Sequence, residues 1–172
     1  HWSYDDQHLY NSWTHYADAN RLGCLDCSGY MRMIWGYHGG LPMTYHVNPN
    51  APITAIPRRS YLIWEECIGK QVMTNYDYNS NKAADKLALL NIGDLVVFDA
   101  DDTPAEEIGR VDHIGMYIGD DAQGNMRFVH SRSTNNIGPT FGNDAGGKCI
   151  INNDGTDNWL YYAKALVGAR RL

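Results

Sequence analysis

The sequence predicts an α+β fold in which N-terminal helices pack on a central antiparallel β-sheet, all within one domain spanning residues 1–172. Three observations predict it. Before residue 93 the apolar positions recur at three- and four-residue steps, the spacing of a helix face. After residue 93, β-branched and aromatic runs take over. The links between those runs are short clusters of Asp, Gly and Asn, as in antiparallel neighbours; a parallel pair needs a crossover of a dozen residues or more. A chain of 172 residues can bury a core without metal or disulfide staples.

Taken in order, the first 20 residues are rich in Tyr, Trp, Asn and Asp and predict a short helix leading into a loop before Cys27. From Cys27 to His38 the residues Tyr30, Met31, Ile34, Trp35 and Tyr37 keep helical spacing, and Gly39-Gly40 supplies the stop. The stretch "LPMTYHVNPNAPITAIP" (41–57) contains four prolines and reads as an extended loop. Helices are expected over 58–68 and 81–91, the second capped by Asn79 or Ser80. Strands are expected over "DLVVFDA" (94–100), "HIGMYIGD" (113–120), "MRFVHSRS" (126–133) and "WLYYAKALVGARR" (159–171).

The formal charge is −6, and basic residues are scattered apart from Arg58-Arg59 and Arg170-Arg171, so no stripe follows a phosphate backbone and nucleic acid is not an expected partner. No apolar run approaches the roughly 20 residues of a membrane span. The chain opens on His1 with no charged-then-apolar leader, which leads us to expect a removed signal or anchor segment or a trimmed start. Twelve Tyr and five Trp allow an aromatic groove or simple core packing.

The stretch "GCLDCSGYMRMIW" (23–35) holds two of the four cysteines, and Cys24-x-x-Cys27 is open to metal, redox or nucleophilic chemistry. Structural zinc wants a second close ligand pair, but Cys67 and Cys149 are isolated and His113 and His130 fall on different expected strands. A thioredoxin-like pair wants a preceding strand in a βαβ unit, and none is read here. A nucleophile wants a thiolate, which the first turn of a helix favours; Cys27 has that position and Cys24 does not. It also wants an imidazole with an orienting partner, which His113 and His130 on neighbouring strands can supply.

In this arrangement the chain resembles the NlpC family of papain-like cysteine peptidases. The nucleophile motif is Asp26-Cys27-Ser28-Gly29; "GDLVVF" (93–98), "HIGMYIG" (113–119) and "FVHS" (128–131) follow in the family's order. The resemblance implies a papain-like fold, with Cys27 as nucleophile, His113 as general base and His130 as the polar residue orienting it. It places Tyr16 near the oxyanion site, although the residues that follow read "YADAN" in place of the family's Tyr-x-x-Gly-Gly. Asp26, Ser28 and Trp35 are the expected substrate-binding residues, with Trp64 a further groove candidate.

The implied activity is hydrolysis of amide bonds in peptidoglycan stem peptides, a γ-D-glutamyl-diaminopimelate bond first among them, by a secreted or envelope protein. A monomer without cofactor or metal is expected. The rivals are an amidase, acyltransferase or transglutaminase on the same scaffold, or a non-catalytic wall-binding or zinc-binding module. A Cys24-Cys27 disulfide would switch the enzyme off. Cys67 and Cys149 either pair or stay as buried thiols, and "DADDTPAEE" (99–107) lacks the spacing of a calcium loop.

Overall fold

The apolar runs beyond residue 93 form the centre of one antiparallel sheet in the computed structural model, which describes residues 26–44, 55–100, 110–131, 149–152 and 161–172. Its strands are β1 (Lys70–Met73), β2 (Leu95–Phe98), β3 (His113–Asp120), β4 (Met126–Val129) and β5 (Leu166–Arg171). They lie in the order β1-β5-β2-β3-β4, every pairing antiparallel. The α+β class with an antiparallel sheet is therefore what the chain adopts.

β2 is buried on both faces, and its alternation divides two cores. Leu95 and Val97 join Ile114 beneath the helices, in a core with Met31, Ile56 and Ile63. Val96 and Phe98 point the other way, to Tyr117, Phe128, Tyr162 and Leu166. The helices over the first core are α1 (Cys27–Met31), continued by π-helical turns over Arg32–His38, and α2 (Ser60–Glu66). Gly39 donates to Ile34, an i+5 bond, and Gly40 takes φ +76, so the expected glycine stop is where the helix ends. A short α3 (Ala83–Leu87) sends Leu87 into the second core.

The structure corrects the sequence reading at several points. Residues 159–171 were expected as one strand; α4 (Tyr161–Ala165) takes up the first part and β5 the rest. "YYAKA" lacks alternation, and Ala and Lys favour helix, so burial of Tyr162 and Ala163 decides the conformation. β1 was not expected: four residues, two of them exposed, leave too little alternation to read. β4 stops at Val129, so His130 lies just beyond its end. Lys82, not Asn79 or Ser80, is the N-cap of α3, and the Ser80 hydroxyl accepts from its N–H at 3.2 Å.

The end of β5 is tied to the start of β2 by a buried carboxylate. Asp94 is 1% exposed and accepts from Arg171 at 2.7 and 2.8 Å and from the Asn91 N–H at 2.8 Å. These bonds compensate the burial of its charge and hold the turn that delivers the chain into β2.

Candidate active site

The helix that carries Cys27 is fixed at its first turn by a closed set of polar bonds. Asp26, extended at ψ −178, is the N-cap, and its side chain accepts from the Gly29 N–H at 2.7 Å. The Ser28 hydroxyl donates to the same carboxylate at 3.3 Å. Arg58 arrives from the end of the proline-rich loop; it donates to the Ser28 hydroxyl at 2.8 Å and to Asp26 at 3.0 Å. The loop residues behind it are anchored by a bridge between Met43 and Ile56.

Cys27 sits half-buried where α1 meets the start of β3. Its Sγ lies 4.0 Å from the Asp112 carbonyl, and the N–H groups of Ile114 and Ser28 also face it. The sulfur thus touches main chain on either side of His113. Burial pushes the thiol up to about 12, the Asp26 charge adds to the rise, and the two N–H groups and Arg58 oppose it. The helix-start position was expected to lower it; removal from water outweighs the N–H groups here.

His113 and His130 come together among the rings of Phe98, Phe128 and Tyr162. Nε2 of His113 is 2.5 Å from Nδ1 of His130, and the rings meet edge-on at 4.8 Å between centroids. One nitrogen donates and the other accepts, so a single proton occupies the contact. Gly115 makes this approach feasible: a Cβ there would come within 2.7 Å of Phe128 and 3.2 Å of the His130 Cβ. Tyr162 of α4 is buried and packs against both rings, at 5.6 Å from His113 and 5.0 Å from His130. Phe98 and Phe128 complete the enclosure.

The remaining expected residues have different surroundings. Trp35 packs into the helix-side core, its ring 3.3 Å from where a Cβ of Gly93 would stand. Trp64 packs in the same core and covers Gly168. Asp26 and Ser28 engage Arg58 and the helix start. Tyr16 and Cys24, with the disulfide considered for Cys24, lie outside the described residues, as does most of the acidic run 99–107. Cys67 and Cys149 are both buried. They belong to different cores, so the sheet stands between them.

Arg58 and Tyr162 are the neighbours of the site that the sequence reading missed. Arg58 meets its partners across 30 and 32 residues, and no periodicity marks such a pairing. Among the described residues no three His, Cys, Asp or Glu side chains are grouped to hold a metal, and no helix is long and apolar enough to cross a membrane. Comparison with family models, curated proteins and solved structures gave no match.

The buried acids have a consequence for stability. Cys27 and Cys67 are raised from 9.0 to about 12 and about 11, and Tyr76 and Tyr117 from 10.0 to about 12, in each case chiefly by burial. Between those limits the unfolded chain has released protons that the folded one retains, so stability falls as pH rises. It is complete below pH 9.0 and is lost progressively toward about 12. Thermal melts should hold steady up to about pH 8 and move steeply downward above about pH 9.5; a midpoint unchanged across that interval would contradict the burial of these groups.

Proposed function

We propose that the chain is a cysteine peptidase of the NlpC type that hydrolyses amide bonds in peptidoglycan stem peptides at the bacterial cell envelope. The observation that carries the proposal is the His113–His130 contact at 2.5 Å, set beside the backbone that Cys27 touches at the start of a capped helix. Both meet the start of β3, which His113 opens and whose preceding carbonyl, Asp112, lies 4.0 Å from the sulfur, and the helix-then-sheet order agrees with a papain-like scaffold.

The chemistry follows from which nitrogen is engaged. With Nε2 of His113 held by His130, Nδ1 is the nitrogen that takes the proton from Cys27. A thiol raised to about 12 carries little thiolate at neutral pH by itself, so in this mechanism His113 takes its proton as the sulfur attacks. The sulfur attacks the substrate carbonyl. The Cys27 N–H, which has no intrahelical acceptor at the first helical position, stabilises the oxyanion. His113 then gives its proton to the leaving amine, and water hydrolyses the thioester.

The bond class comes from the family resemblance: a γ-D-glutamyl-diaminopimelate amide. Purified muropeptides of defined stem composition, digested with reductant present and weighed by mass spectrometry, test it. Fragments separated at that bond are expected. Transfer of the acyl group to an added amine would favour an acyltransferase. Pelleting with sacculi without any fragment would overturn the catalytic reading in favour of a binding module.

A further inference from the structure

The first turn of α1 contains an electrostatic conflict. Asp26 caps the helix, which favours folding, yet it places a carboxylate one residue before a sulfur that must carry negative charge to react. Like charge at such a distance disfavours the thiolate. A carboxylate so placed needs a counter-charge.

Arg58 supplies one. It is 3% exposed, and its guanidinium forks between the Asp26 carboxylate at 3.0 Å and the Ser28 hydroxyl at 2.8 Å. Ser28 in turn donates to Asp26, so the three side chains close a ring that ties together the residues on either side of Cys27. One Asp26 oxygen secures the helix, accepting from the Gly29 N–H at 2.7 Å as well as from Ser28; the other is taken by Arg58. A Lys would keep the charge but lose the planar fork that serves both partners.

We propose that Arg58 is a positioning residue for the reaction at Cys27: by neutralising Asp26, it allows a helix-capping carboxylate to stand beside the nucleophile without suppressing the thiolate. The inference rests on the reading of Cys27 as nucleophile. In the electrostatics of the sulfur, Asp26 and Arg58 act in opposite directions, with the carboxylate the larger of the two.

The test is the pH dependence of iodoacetamide alkylation, resolved at Cys27 by peptide mass spectrometry, which needs no peptidase activity. Arg58→Gln keeps a hydrogen-bonding amide and removes the charge; its Cys27 profile should move up by about one pH unit, with a roughly tenfold slower reaction at neutral pH. Arg58→Lys should restore most of the difference. The double variant Asp26→Asn with Arg58→Gln should return to the wild-type profile or below it, because both members of the opposed pair are gone.

An Arg58→Gln profile that superimposes on wild type, or a double variant that stays displaced, overturns the proposal. A structural role alone would lower the melting temperature and leave the profile of the folded fraction in place. Should Arg58→Gln not fold, Asp26→Asn decides, since Asn caps helices as Asp does: a downward displacement supports the proposal and an unchanged profile refutes it. If wild type cleaves no muropeptide, the peptidase reading fails while these profiles still report on Arg58.

Discussion

Cys27→Ala is expected to reduce turnover of a stem-peptide substrate by roughly 10^4-fold or more, with the melting temperature within a few degrees of wild type. The loss is large because the acyl-enzyme forms on the Cys27 sulfur, and the neighbouring Ser28 hydroxyl is engaged by Arg58 and Asp26. The stability cost is small for three reasons. The residue keeps part of its surface in water, Ala is the best helix former, and the cap from Asp26 to the Gly29 N–H survives the change. Steady-state kinetics beside thermal melts separate the two effects. Activity retained in a folded Cys27→Ala protein would remove the nucleophile from the account.

His113→Gln should cost about 10^2- to 10^4-fold in kcat, at the upper end of that range. The reason is the thiol itself: raised to about 12, it has almost no thiolate at neutral pH unless a base takes its proton. KM should change far less, since His113 faces His130, Phe98 and Tyr162, groups of the protein interior. His130→Ala should cost less than His113→Gln, because it loosens the base without removing it. A loss confined to KM would place His113 in binding and not in proton transfer.

What the sequence made legible was whatever local pattern encodes. β2 and β3 read correctly because apolar and β-branched runs persist over their length, and the glycine stop after His38 follows from backbone freedom. The helix from Cys27 was readable from the three- and four-residue spacing of Tyr30, Met31, Ile34, Trp35 and Tyr37. The pairing of His113 with His130 was an expectation of neighbouring strands; β3 and β4 are neighbours, and the two ring nitrogens meet at 2.5 Å.

What was not legible depends on contacts distant in sequence. α4 is a helix because Tyr162 and Ala163 fill the space against Phe98 and Phe128, a demand that "YYAKA" does not announce. β1 exists because the end of β5 offers it an edge. The raised thiol was missed for the same reason: the effect of the helix start is local and visible, whereas burial is the work of the whole fold. Arg58 looked like half of an exposed basic pair, and only the folded loop shows it buried between Asp26 and Ser28.

Proton transfer from Cys27 to His113 is tested most directly by the pH profile of Cys27 alkylation in wild type and in His113→Gln. The account predicts that wild-type Cys27 reacts at neutral pH, and that in the variant this reactivity disappears and returns only in the strongly alkaline range of a thiol raised to about 12. Two coincident profiles would show that His113 does not take the proton from Cys27, and would contradict the mechanism at its first step.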